Sequence, residues 1–194
     1  GDPHYWPSYR TLFNEWLDHD GAPLVLEQAL PVLMQGVGAV AFHGLIRTAY
    51  AVAAGHSHEL ADALAYWSCR WFELGDVPDG GFEQDATLVL GRAPSCKGNQ
   101  PLIADRMLHA AKHPSFAATA GQLRLLGGAT LEQLARFAAS QYANSRNFTV
   151  LHLLTSAHAT RLLLPWLDDE DAARALGHYW LAFLAGYQSS GLER

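Results

Sequence analysis

The sequence predicts an all-α protein, a single irregular multi-helix bundle of about eight helical segments that covers residues 1–194 as one domain. Apolar residues recur every three to four positions along most of the chain, which is the period of a helix with one buried face. Glycine, proline and polar capping residues divide this pattern into segments of helix length. Only one short run, ATLVL at residues 86–90, is also compatible with a strand.

In the first half of the chain, capping residues and helix breakers delimit four helices. They are predicted at residues 8–17, 23–34, 36–50 and 57–71. Ser8 and Ser57 are suitable N-caps for the first and the fourth, because their hydroxyls can accept from backbone N–H groups of the first turn. The third helix continues past residue 50 to Gly55, a typical C-terminal signal.

The second half begins with an irregular stretch at residues 75–100, whose length is typical of a pocket wall or a mobile connection. Helices then follow at residues 101–113, 115–126, 130–143, 148–164 and 168–188. TLEQ at residues 130–133 predicts a capping box, and the acidic run at residues 168–171 predicts an N-terminal cap of the last helix.

Composition excludes several classes of protein. The formal net charge is −6 and no segment concentrates lysine and arginine, so we expect neither nucleic-acid binding nor docking to an anionic membrane. No apolar run reaches the roughly 18 residues that cross a bilayer, and no signal peptide opens the chain. Cys69 and Cys96 are too few for a disulfide framework, which favours reduced thiols in a cytoplasmic protein. The sequence does not indicate an oligomeric state.

Residues 36–50, GVGAVAFHGLIRTAY, place three polar side chains in an otherwise apolar stretch. His43, Arg47 and Tyr50 follow the spacing i, i+4, i+7, so on a helix they share one face. Burying an arginine costs several kcal/mol unless a partner meets it. We therefore predict that this helix is buried and lines the functional pocket.

Three more histidines lie in apolar helical segments: His152, His158 and His178. Each can be a core histidine with a hydrogen-bond partner, or they can converge with His43 on a redox metal such as iron, which accepts imidazole nitrogen. His152 and Thr155 share a helix face, whereas His158 lies about 240° around the helix from His152. No catalytic triad, CxxC pair or dinucleotide-binding fingerprint is present.

Three motifs, AFHGLIRTAYA, ALAYW and LHLLTSAHA, together resemble the questin oxidase-like family of fungal and bacterial helical proteins. The similarity spans most of the chain, and the first motif is the most specific. That family's motif reads histidine, proline, leucine, isoleucine, histidine, leucine, glycine and tyrosine. Four residues of this chain match it: His43, Leu45, Ile46 and Tyr50. Gly44 and Arg47 replace its proline and its second histidine, while His152 and Thr155 match a later histidine-x-x-threonine motif.

The resemblance implies an oxygenase that opens aromatic polyketide rings by Baeyer–Villiger-type or metal-dependent oxidation. It implies that His43 and His152 bind a metal. We take this metal to be iron and expect His158 or His178 as a third ligand. Arg47 would neutralise a phenolate or an oxygen anion, and Tyr50 would donate a hydrogen bond. The expected partners are a small aromatic or polyketide-like substrate and NADPH as an external electron donor.

The family also has a histidine-containing segment near its N-terminus, which we expect to precede Gly1 in the natural polypeptide. Two alternatives to the oxygenase stay open. One is a non-catalytic helical protein that binds a small molecule and uses its histidines in buried hydrogen-bond networks. The other is haem binding through a single axial histidine.

Overall fold

Helices make up the regular structure of the computed structural model, which describes residues 1–192. Nine α-helices follow in chain order: α1 (Trp6–Leu33), α2 (His43–Ala54), α3 (Ser57–Arg70), α4 (Ala86–Arg92), α5 (Ile103–Ala111), α6 (Phe116–Ala120), α7 (Gly128–Ser145), α8 (Phe148–Leu163) and α9 (Asp169–Ser189). No strand occurs within these residues, so the all-α prediction is confirmed. No helix among them has both the length and the apolarity needed to cross a membrane.

Helix α9 lies at the centre of the bundle. From Ala175 to Ser189 every residue except His178 is buried, which requires neighbours on all sides of the helix. Helices α5, α6 and α8 provide such neighbours. The indole of Trp180 reaches α6 and donates to the Ala120 carbonyl at 3.0 Å. As predicted, an acidic residue caps this helix, since the Asp168 carboxylate accepts from the Asp171 N–H at 2.7 Å.

Helix α1 combines the first two predicted helices. They join at Gly21, where φ is 76° and ψ is 163°, values that lie outside the helical region. Pro23 follows the break at a position where its missing N–H is tolerated, because the first N–H groups of a helical turn have no intrahelical acceptor. The two arms therefore bury Phe13 and Leu17 on one side of the break and Leu26 and Leu30 on the other.

Residues 36–42 are not α-helical, so the predicted helix at residues 36–50 begins seven residues late, at His43. Val40, Ala41 and Phe42 adopt positive φ angles of 50°, 54° and 67°. Each costs roughly 1–2 kcal/mol for an L-residue. The turn places the Phe42 ring in the core, where it is fully buried, and makes His43 the first residue of α2.

The run ATLVL forms helix α4 and not a strand. Asp85 caps it by accepting from the Thr87 N–H at 2.8 Å and from the Thr87 hydroxyl at 2.6 Å. A short apolar run does not distinguish a strand from a buried helical turn, and this cap favours the helix.

The capping box predicted at residues 130–133 does not form, because α7 begins earlier, at Gly128. Thr130 accepts from the Leu126 N–H at 2.7 Å. The Gln133 amide instead contacts the segment that leads into α4, accepting from the Ala86 N–H at 2.8 Å and donating to the Gln84 carbonyl at 3.2 Å. These contacts attach the irregular connection to α7.

Candidate functional site

Helices α2 and α8 lie side by side and bring two of the predicted histidines together. His43 Nε2 lies 3.0 Å from His152 Nε2, although the residues are 109 positions apart in the sequence. Further along the same two helices, Tyr50 contacts His158, so α2 and α8 run in the same direction. His43 is exposed at the start of α2, whereas His152 is only 6% exposed. We call His43 and His152 the imidazole pair.

The hydrogen bonds of the imidazole pair define its protonation. His152 Nδ1 lies 2.8 Å from the Phe148 carbonyl, an acceptor only, so Nδ1 carries the proton. In neutral His152 the Nε2 atom is therefore an acceptor, and His43 Nε2–H donates to it. A backbone carbonyl that fixes the remote nitrogen of an imidazole is common behind metal-ligating histidines. The same chain is also a complete hydrogen-bond network without a metal.

The pKa of His43 is lowered from its ordinary value of 6.5. The largest cause is the loss of solvation at the α2–α8 contact, followed by the nearby His152 and the Arg47 guanidinium. The folded protein therefore favours a neutral His43, which is the form that accepts a metal or a proton.

We expect the stability of the metal-free protein to decrease as the pH falls below about 6.5. The unfolded chain binds the His43 proton more tightly than the folded chain, so this contribution is complete above the unfolded pKa and is lost as the pH falls through the lower folded pKa. Urea unfolding at several pH values with a chelator present measures the slope. His43→Gln should make the slope shallower, whereas His56→Gln, at an exposed helix start, should leave it unchanged. An unchanged slope in His43→Gln would contradict the prediction.

The predicted burial of Arg47 is wrong. Arg47 is exposed, and its guanidinium carbon lies 5.0 Å from the centre of the Tyr66 ring on α3. The guanidinium carbon of Arg70 lies 5.7 Å from the same ring. The polar face of α2 points outward because the opposite face, with Leu45 and Ala49, is buried against α3 and α8. No carboxylate within residues 1–192 pairs with Arg47, so its charge remains available to an anion beside the imidazole pair.

The other two candidate ligands do not join the imidazole pair. The His158 ring packs 6.4 Å from Tyr50, and its Nδ1 lies 3.4 Å from Arg161 Nη2. His178 is half-buried on α9. Loss of solvation lowers its pKa, and the negative charges of Glu73 and Asp76 offset only part of this decrease. In the described part of the chain, no three His, Cys, Asp or Glu side chains form a group able to hold a metal. The expectation that four histidines converge is thus not met.

Phe148 is a site residue that the sequence pattern did not identify. Its ring is 66% exposed and packs edge to face on His152, with the ring centres 4.7 Å apart. Asn147 fixes the start of this helix by accepting from the N–H groups of Thr149 and Val150. The i, i+4 spacing of Phe148 and His152 was a usable signal, because such residues are neighbours on a helix surface. An exposed aromatic ring therefore adjoins the imidazole pair.

The fold and the site together define an all-α protein with an imidazole pair at the contact of two parallel helices. Arg47, which pairs with no carboxylate among residues 1–192, and the exposed Phe148 ring lie beside the pair, and the exposed Tyr50 ring lies further along α2. Comparison of this chain with family models, with curated proteins and with solved structures finds no match.

Proposed function

We propose that this chain is an oxidoreductase of the questin oxidase-like type, an oxygenase that oxidises an aromatic or polyketide-like ring at the imidazole pair. The observation that carries the proposal is the 3.0 Å approach of His43 Nε2 and His152 Nε2. These residues belong to two of the three motifs that carry the resemblance. Residues from two distant motifs meet, which is expected if both motifs serve one centre.

The donor atoms of the imidazole pair fit two positions around an iron ion. Both Nε2 atoms face each other, and the Phe148 carbonyl holds the remote nitrogen of His152 as in many metal sites. The lowered pKa of His43 favours the neutral imidazole that a metal requires. The carboxylate of a two-histidine, one-carboxylate iron site has no counterpart within residues 1–192, so two nitrogen ligands are assigned. Iron at this position would supply the activation of dioxygen.

The neighbouring side chains fit a flat, acidic substrate. The exposed Phe148 ring offers a surface for stacking, and Arg47, held against Tyr66, can neutralise a phenolate. Tyr50, 48% exposed on the same face of α2, can donate a hydrogen bond from its phenol. In a Baeyer–Villiger oxidation one atom of O₂ enters the ring beside a carbonyl, and the other leaves as water. The two electrons come from NADPH, and the two protons come from NADPH and solvent.

Metal analysis of the purified chain after anaerobic loading with Fe(II) tests the proposal. We expect about one iron per chain, with NADPH and O₂ consumed when a hydroxyanthraquinone is added as probe. Loading with Fe(II) in the presence of a chelator controls for loosely held iron. Absence of stoichiometric metal, together with no oxygen consumption, would overturn the proposal.

A second function, non-catalytic binding of a small molecule, is favoured by one specific observation. The hydrogen-bond chain from His43 through His152 to the Phe148 carbonyl is complete without a metal. A buried histidine with both nitrogens bonded needs no further partner. Under this alternative the hydroxyanthraquinone binds without iron and is recovered unchanged.

A further inference from the structure

A groove of about 430 Å³ lies between α7 and α8, apart from the imidazole pair. Its volume falls within the roughly 300–1,000 Å³ that small-molecule sites occupy. The walls are aliphatic, with Leu131 and Ala135 from α7 facing Leu154 and Ala157 from α8. Both helices are in the well-packed part of the fold, so the groove is formed by rigid elements.

Polar groups are confined to one edge of the groove. His158 and Arg161 border it from the last turns of α8, and Glu132 borders it from α7. The Glu132 carboxylate is already engaged by Arg136, whose Nε and Nη2 donate to it at 3.0 and 2.6 Å. The net charge available at this edge is therefore that of Arg161.

Arg161 is poorly compensated. Its only hydrogen bond within residues 1–192 is the 3.4 Å contact from Nη2 to His158 Nδ1. A guanidinium has five N–H donors, so four have no protein acceptor in this part of the chain. A cation in the last turn of a helix interacts favourably with the helix dipole, which explains a positive charge here. The dipole does not explain the open aliphatic groove beside that charge.

We infer that the α7–α8 groove binds a small amphipathic carboxylate with an aliphatic body. The carboxylate would accept from Arg161, and the chain would lie against Leu131, Ala135 and Leu154. Among the described residues that line the groove, His158 alone carries a ring, which favours an aliphatic over an aromatic body. The inference does not rest on the proposed oxygenase function, because the groove shares no residue with the imidazole pair.

Decanoate and its neutral counterpart 1-decanol are suitable probes, with binding to the intact chain followed by ligand-observed NMR. We expect decanoate to bind at least tenfold more tightly than decanol. Arg161→Gln should remove this difference by weakening the binding of decanoate and not that of decanol. The hydrogen bond between the guanidinium and the carboxylate supplies most of the difference in affinity. Arg174→Gln is the matched control, because it removes the same charge from an exposed position on α9. It should leave the affinity for both probes unchanged.

Ala135→Leu places a larger side chain in the groove at a partly exposed helical position, where leucine maintains helix stability. It should weaken the binding of both probes at least tenfold, and its circular dichroism spectrum should match that of the original chain. Failure of decanoate to bind would overturn the inference, as would equal binding by the original chain and Arg161→Gln. Unchanged binding in Ala135→Leu would show that the probe binds elsewhere. None of these measurements involves iron, so their failure leaves the oxygenase proposal standing.

Discussion

Replacing Trp67 with alanine is expected to lower the free energy of unfolding by about 3–5 kcal/mol, the usual loss for a buried tryptophan. The Trp67 side chain is 0% exposed. It packs so closely on α2 that a methyl group on Gly44 would lie 2.5 Å from its Cγ atom. Its indole N–H also donates to the Gly36 carbonyl at 3.1 Å, so the alanine variant leaves a buried acceptor without its donor. Urea unfolding followed by circular dichroism measures the loss.

Two further variants separate the loss of packing from the loss of the hydrogen bond. Trp67→Phe keeps an aromatic ring but loses the hydrogen bond to Gly36, and should cost less than the alanine variant. Leu12→Ala, at a position that is half exposed on α1, should change the free energy of unfolding by no more than about 0.5 kcal/mol. A loss below about 1 kcal/mol in Trp67→Ala would contradict the packing of α2 on α3 described above.

Much of the fold follows from sequence signals that act over a few residues. The end of α2 at Gly55 and the acidic cap of α9 lie where local capping chemistry places them. The N-cap predicted at Ser57 is wrong, because Ser57 is the first residue of α3 and His56 precedes it without a side-chain cap. These signals need only neighbouring backbone groups. They identify where helices begin and end, but not which helices become neighbours.

The turn before α2 could not be predicted, because its glycines are not at the left-handed positions. Gly36 and Gly38 serve close packing instead: added methyl groups there would lie 2.3 Å from the Trp71 ring and 3.1 Å from Leu74. Three residues with side chains, at positions 40–42, take the positive φ angles. Tertiary packing imposes that backbone, and local propensity argues against it.

In the candidate site, too, local sequence signals predict some features and tertiary packing decides the others. Helical spacing correctly places His43, Arg47 and Tyr50 on one face of α2, but it does not say whether that face points inward. Arg47 was expected to be buried because its neighbours in sequence are apolar, yet the apolar residues occupy the opposite face. The apolar helices only suggest that several histidines converge. The resemblance to a family singles out His43 and His152 among them, since no periodicity relates residues on two helices.

His43→Ala is the variant expected to separate function from folding most clearly. His43 is exposed at the first position of α2, so its truncation removes little buried surface. The loss of its contact with buried His152 should lower the free energy of unfolding by about 1 kcal/mol, which leaves the chain folded. If the imidazole pair is the reactive centre, loss of one ligand or proton carrier should reduce NADPH-dependent oxygen consumption about 100-fold or more. Bound iron should decrease in parallel.

His178→Ala is the matched control, because it removes another imidazole at a half-buried position away from the pair. It should retain bound iron and oxygen consumption at the level of the original chain. Retention of both iron and turnover in His43→Ala would exclude the imidazole pair as the reactive centre. Under the hydrogen-bond alternative, neither quantity differs between the two variants, because the 3.0 Å contact then serves only to satisfy His152.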